Sequence, residues 1–140
     1  MWQVVIDTNV LLAALRSRRG ASHRLFRLIG DERWRMNLSV PLFLEYEDVI
    51  KRPGAGLSLS VEELDDILDF ICASAGLREI FYLWRPVLPD PKDDFILELA
   101  VESRSDFIIT FNLKDFVGLE RFGIEVITPQ EFLRKLGEIP

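Results

Sequence analysis

One run constrains this chain more than any other: Val4-Val5-Ile6-Asp7-Thr8-Asn9-Val10-Leu11-Leu12. Three apolar, β-branched residues end abruptly in an acid, and an apolar stretch of helical character follows at once. The pattern predicts a buried strand over residues 3–6 whose C-terminal end delivers Asp7 to the lip of a parallel sheet. A helix over residues 8–17 follows, with Asp7 or Thr8 near its start. In open α/β sheets, ligands bind outside the carboxyl ends of the strands. The acid therefore stands where chemistry is usually done.

The rest of the chain alternates in the same way. Gly20 breaks the first helix, and Ser22 is placed to cap a second one carrying Leu25, Phe26, Leu28 and Ile29. Residues 36–39 read as a short strand ahead of Pro41, a favoured first-turn residue for a helix running to about Lys51. Arg52-Pro53-Gly54-Ala55-Gly56 ends that helix. Ser60-Val61-Glu62-Glu63 is a capping box opening a helix to about Ala75, closed by Gly76. Further strands are expected over Ile80–Trp84, Phe107–Thr110 and Glu125–Ile127. Further helices are expected over Lys92–Ser103, after the rigid Pro89-Asp90-Pro91 loop, and from Pro129 to about Leu136. Strands alternating with helices imply an α/β fold of three layers, α/β/α, around a mostly parallel central sheet. With 140 residues and no repeats, low-complexity tracts or linkers, the chain reads as a single domain over 1–140.

No apolar run is long enough to cross a bilayer, and no basic stretch precedes a hydrophobic segment at the N-terminus. The single cysteine, Cys72, lies in an apolar segment and reads as a small core residue, consistent with a reducing cytoplasm. The net charge of −6 argues against a general nucleic-acid binder. Its distribution is uneven. Arg16, Arg18, Arg19, Arg24, Arg27, Arg33 and Arg35 face only Asp31 and Glu32 over one stretch, whereas Glu62, Glu63, Asp65, Asp66 and Asp69 have no base among them. Thirteen of the 17 basic residues are arginine, the side chain suited to bidentate phosphate contact. An arginine-rich lobe on an acidic protein fits local binding of a polyanion; its plainer reading is a solvated helix face.

Four positions are placed to bring carboxylates together. They are Asp7 after the first strand, Glu45 amid apolar neighbours in a helix, Asp94 at the head of the apolar helix Phe95–Val101, and Asp115 just past the strand ending in Thr110. Singly, each has an ordinary structural role as a cap, a solvated residue, a first-turn acid or a turn residue. Jointly they demand a cation, because two carboxylates about 4 Å apart repel by roughly 4 kcal/mol at an effective dielectric near 20. An all-oxygen donor set favours Mg²⁺ or Mn²⁺ over zinc, and His23, the only histidine, has no ligand partner. Such a site is suited to in-line displacement at a phosphodiester. No Ser-His-Asp or Cys-His arrangement and no glycine-rich phosphate loop competes. A phosphoacceptor receiver lacks its acid pair here, and a haloacid-dehalogenase-like phosphatase needs an acid where Asn9 stands.

The chain resembles the PIN domains, specifically the VapC-like ribonuclease branch of toxin–antitoxin toxins. Four blocks carry the resemblance, in order and at compatible spacing: Val5–Leu11, Ser39–Tyr46, Asp90–Phe95 and Ile109–Phe116. Arg19-Gly20-Ala21-Ser22 is also similar to the stretch after the first helix in that branch. The resemblance implies a metal-dependent endoribonuclease acting on single-stranded RNA with Mg²⁺ or Mn²⁺. Asp7, Glu45 and Asp94 would be metal-binding acids, and Asn112 or Asp115 the fourth corner. Counting back from Thr110 through the helix favours Asp94 over its neighbour Asp93. Asp93, Asn9, Thr110 and Asn112 then fall to a supporting shell, and Arg16, Arg18, Arg19 and Arg24 are candidates for gripping the RNA backbone. The resemblance also implies a cognate antitoxin and a homodimer in the cytoplasm, with no membrane. The alternative is a catalytically degenerate PIN-like module that binds RNA or a protein, and Asn112 is the feature in its favour.

Overall fold

The computed structural model describes residues 1–81 and 88–140. Among the described residues, five strands form one parallel sheet in the order β3-β2-β1-β4-β5. They are β1 (Trp2–Ile6), β2 (Trp34–Leu38), β3 (Gly76–Leu77), β4 (Phe107–Ile109) and β5 (Glu125–Ile127). The helices are α1 (Thr8–Arg16), α2 (Ala21–Arg27), α3 (Val40–Lys51), α4 (Val61–Ser74), α5 (Asp94–Glu102) and α6 (Pro129–Lys135). They cover the sheet on both faces, which is the three-layer α/β/α fold expected from the sequence. Two-sided cover explains why Val4-Val5-Ile6 and Phe107-Ile108-Ile109 show no polar alternation: all six side chains are buried.

Strand order reverses between β1 and β4. From β1 the chain steps outward to β2 and then β3, returns past β1 to β4, and continues to β5 on the other side. At such a switch point the loops diverge and leave a crevice at the C-terminal edge. Ile6 lies opposite Ile109 in the ladder, and the Asp7 N–H bonds the Ile109 carbonyl at 2.9 Å. Asp7 and Thr110, the residues that follow, therefore open directly into the crevice.

Local chemistry accounts for most helix starts. Asp7, Ser39, Ser60 and Thr128 cap α1, α3, α4 and α6 with their side chains, and the Ser60–Glu63 capping box forms in both directions. Ser22 does not cap α2. The cap is Gly20, and Ser22 is buried one residue inside the helix. Pro91–Asp93 form a single 3-10 turn, so α5 begins at Asp94 rather than at Lys92. Cys72 is half-buried against the core, and His23 lies within α2 with Nδ1 3.2 Å from the Ala14 carbonyl.

The third strand also departs from expectation. It comprises Gly76 and Leu77, whereas Ile80 and Phe81 belong to no strand, and residues 82–84 of the expected strand lie outside the described residues. Gly76 does not close α4; Ala75 does, and Gly76 pairs with Asn37 of β2. A Cβ on Gly76 would sit 2.7 Å from Asn37 Oδ1 and 3.2 Å from Arg35 Nε. Asn37 cannot readily yield, because it is fully buried and bonded to Gln3, the Val4 carbonyl and Arg78. Gly76→Ala should therefore destabilise the fold by about 1–3 kcal/mol, read as a lower urea midpoint with an unchanged denaturant slope. A midpoint equal to that of the parent protein would show that the β2–β3 approach is looser than this.

Candidate active site

Asp7 is the cap of α1 and is 9% exposed. Its Oδ1 accepts the Thr8 N–H at 2.8 Å, and its Oδ2 accepts the Thr110 hydroxyl at 2.8 Å. The Thr110 hydroxyl also accepts from Asn9 Nδ2 at 3.4 Å and from the Asn112 N–H at 3.0 Å. A hydroxyl has one proton and two lone pairs, so all its capacity is used. Thr110, with no exposed surface, is a fully bonded clasp between the ends of β1 and β4.

Glu45 comes to this clasp from α3. The next residue, Tyr46, is wholly buried and its hydroxyl donates to the Ile6 carbonyl, fastening α3 against the end of β1. Glu45, half-buried, then accepts a hydrogen bond from the Thr8 hydroxyl. Asp115 comes from the 3-10 turn Leu113–Phe116, anchored by buried Phe116 and by the bond from the Asp115 N–H to the Asn112 carbonyl at 3.0 Å. Asn112 joins the site through its backbone N–H, and the Asn9 carboxamide oxygen lies 3.5 Å from the Phe111 nitrogen.

Electrostatics identify which acids share the crevice. Burial pushes the Asp7 carboxyl up to about 6 against the bonds from Thr110 and Thr8, and the charges of Glu45 and Asp115 push it the same way. Asp93 is also raised to about 6, by burial and then by the charges of Asp7, Asp90, Asp115 and Glu45. Asp7, Glu45, Asp93 and Asp115 thus repel one another as a group. Asp94 is the next residue along the chain. It is fully buried, and its Oδ1 accepts the Leu88 N–H at 3.0 Å. Asp93 is the joint between the 3-10 turn and α5, so one step along the chain changes the direction of the side chain. Asp93 thus lies within reach of the other acids' charge, whereas Asp94, the neighbour favoured from the sequence, is buried at the start of α5.

Two lysines that sequence reasoning passed over are exposed on the same turns, Lys92 beside Asp93 and Lys114 beside Asp115. Their signal was available, since each adjoins a candidate acid.

A family model for the PIN domain matches residues 3–114. The chain belongs to the PIN domain family. Among solved structures it is similar to one described as VapBC2 from Rickettsia felis bound to a DNA fragment from their promoter. That match has 12% identity and a TM-score of 0.61, and covers 89% of this chain and 98% of that chain. At that identity the likeness is one of fold. No curated protein matches.

PIN domains are generally nucleases, and they typically use divalent metals. The donor set of this PIN domain fits a hard cation. It is all carboxylate, and each Asp7 oxygen carries one hydrogen bond, leaving lone pairs free. Among the described residues, no three His, Cys, Asp or Glu side chains are gathered tightly enough to make a finished cage. The acids of this PIN domain feel one another's charge yet stand apart.

The arginines expected to hold RNA stand about a helix length from Asp7. Arg16 occupies the last turn of α1, the helix that Asp7 caps at its start, and donates to the Ala55 carbonyl at 2.9 Å. Nine residues of helix, about 13 Å, separate the two ends. Arg18, Arg19 and Arg24 lie beyond, around a separate cleft.

A raised carboxyl pKa stabilises the fold below its unfolded value, and that contribution is lost as pH rises through the folded value. For Asp7 the window runs from 3.8 to about 6, and the loss is about 3 kcal/mol. Without divalent cation, Asp7→Asn should therefore melt higher than the parent protein near about pH 7.5, with the gap closing towards about pH 4. Mn²⁺ should raise the melting temperature of the parent near neutrality and leave that of the variant unchanged. Parallel melting curves at all pH values would refute the crowding of charge described here.

Proposed function

We propose that this PIN domain is a metal-dependent endoribonuclease that hydrolyses phosphodiester bonds in single-stranded RNA. The observation that carries the reading is that Asp7, Glu45, Asp93 and Asp115, from four separate segments, act on one another's charge at one crevice, with the Asp7 and Asp93 carboxyls raised to about 6 by burial first and by neighbouring acids second. On this reading those four acids hold Mg²⁺ or Mn²⁺, with Asp93 in the place that sequence spacing assigned to Asp94. The bound cation would supply Lewis acidity at the scissile phosphate and lower the pKa of an attacking water.

The protein residues divide the remaining work. Thr110 and the Thr8 N–H fix both oxygens of Asp7, so its free lone pairs point one way. The Thr8 hydroxyl fixes Glu45, and Asn9 and Asn112 bond the Thr110 hydroxyl that holds Asp7. Exposed Lys92 and Lys114 flank the acids and offer phosphate oxygens a positive partner on an otherwise repelling surface.

Family membership and the likeness to VapBC2 support a toxin with a cognate antitoxin; on this reading it acts in the cytoplasm as one nuclease domain over 1–140 and as a homodimer. No helix among the described residues is long and apolar enough to cross a membrane. The alternative, a catalytically silent binding module, draws on Asn112, which stands beside the clasp where a carboxylate would otherwise serve.

Cleavage of a labelled single-stranded RNA with Mn²⁺ tests these readings. Asp93→Asn should lower the rate at least about 100-fold without lowering the melting temperature, because a ligand of the cation is lost. Asp94→Ala should instead lose about 1–3 kcal/mol of stability, since the buried Leu88 N–H loses its acceptor. The reverse pattern would return the ligand role to Asp94. No cleavage by the parent protein, with Mn²⁺ bound, would favour the silent module.

A further inference from the structure

Beyond α1, at the end away from the acids, lies a cleft of about 610 Å³ rimmed by Arg18, Arg19, Arg24 and Arg27. Its lining includes apolar Leu28, Leu133 and Ile139. Arg24 forms an ion pair with Glu138 at 3.4 Å, whereas no carboxylate among the described residues pairs with Arg18, Arg19 or Arg27. In a chain with 23 acids and 17 bases, three exposed arginines converging without a partner is an unbalanced arrangement. Like charges gathered round one cavity repel until an anion joins them.

One wall of the cleft shows what chemistry it accepts. Ile139, in the segment after α6, belongs to that wall, and Glu138 adjoins it through Arg24. Arg24 Nη2 donates to the Glu138 carbonyl at 2.8 Å, and Arg33 Nη2 reaches the Glu138 carboxylate at 2.6 Å and Asp31 at 2.7 Å. Arg33 and Arg24 hold the Glu138 carboxyl below its usual range. Ile139 joins Leu28 and Leu133 in the apolar lining. A carboxylate beside an apolar residue is thus already held at the edge of the cleft by Arg24, with Arg33 outside the lining, and Arg18, Arg19 and Arg27 line the open remainder.

We propose that this cleft is a docking site for an acidic polypeptide segment of a partner protein, its carboxylates on Arg18, Arg19 and Arg27 and an apolar side chain on Leu28, Leu133 and Ile139. Arginine suits this role through planar, two-pronged contact with carboxylates. The apolar lining distinguishes a peptide from a bare phosphate chain, which has nothing to place there. Position points the same way. The cleft stands a helix length from the acids, and Arg16, the cation between, is committed to the Ala55 carbonyl. The site owes nothing to the nuclease reading.

Fluorescence anisotropy on the full chain, without divalent cation, tests this with two labelled probes. One is the peptide Asp-Glu-Leu-Glu-Ile-Glu-Asp-Leu, and the other is single-stranded oligouridine. The peptide should bind saturably and more weakly as salt rises. The double charge reversal Arg19→Glu with Arg27→Glu should weaken it at least about tenfold, while Arg121→Glu, elsewhere on the surface, and Asp7→Asn should not. Replacing the leucines and isoleucine of the peptide by serine should also weaken binding. Both arginines are exposed, so the double variant should melt like its parent. No peptide binding, or binding unaffected by the double reversal, overturns the proposal. So does a double reversal that weakens oligouridine as much as the peptide, which would make the cleft a general polyanion site.

Discussion

The hydrogen bond from the Thr110 hydroxyl to Asp7 is the constraint from which the C-terminal edge of the sheet is built. It ties the ends of β1 and β4 at the one position where the connections of the sheet diverge. Each side of that bond organises something further. Asp7 starts α1 through the Thr8 N–H, and the Thr8 hydroxyl then holds Glu45. The Thr110 hydroxyl gathers Asn9 and the backbone of Asn112, which leads into the turn bearing Asp115. Three of the four crevice acids thus trace back to a single buried hydroxyl.

That construction works against electrostatic ease. Burial and neighbouring acids lift the carboxyl of Asp7 to about 6, although it accepts two hydrogen bonds that pull it down. Packing alone would favour asparagine there, or an acid turned to solvent. Keeping a group of like charges in a buried crevice at the expense of stability is the usual mark of a site shaped for a ligand rather than for folding. The same tension explains why the acids stand apart rather than as a closed cage: only positive charge could draw them together.

How legible this was depended on how many sides of each element are buried. β1 and β4 read plainly, because strands covered on both faces become unbroken apolar runs, and α4 read plainly from its capping box. β3 did not, since a two-residue edge strand is set by the close approach of Gly76 to Asn37, a tertiary contact with no local pattern. Ser22 had the chemistry of a cap but lies two residues past the cap position, where Gly20 already supplies the extended backbone. The choice between Asp93 and Asp94 was beyond periodicity. α5 is buried at Asp94, Ile96, Leu97, Glu98, Leu99 and Ala100, so no single face stands out to orient the helix.

The arginines teach a different lesson about charge. Arg16, Arg18, Arg19 and Arg24 follow Asp7 closely in the sequence, but the helix between them rises about 1.5 Å per residue and carries them to its far end. At physiological salt the Debye length is about 8 Å. A nine-residue helix, about 13 Å, therefore separates the two groups by more than the range over which exposed charges strongly sense each other. The net charge of −6 is then a poor description of the surface. One end of α1 presents acids short of a cation and the other presents arginines short of an anion, and screening lets each attract its own partner. A molecule built this way can engage a cation at one end and a polypeptide at the other without either contact neutralising the other.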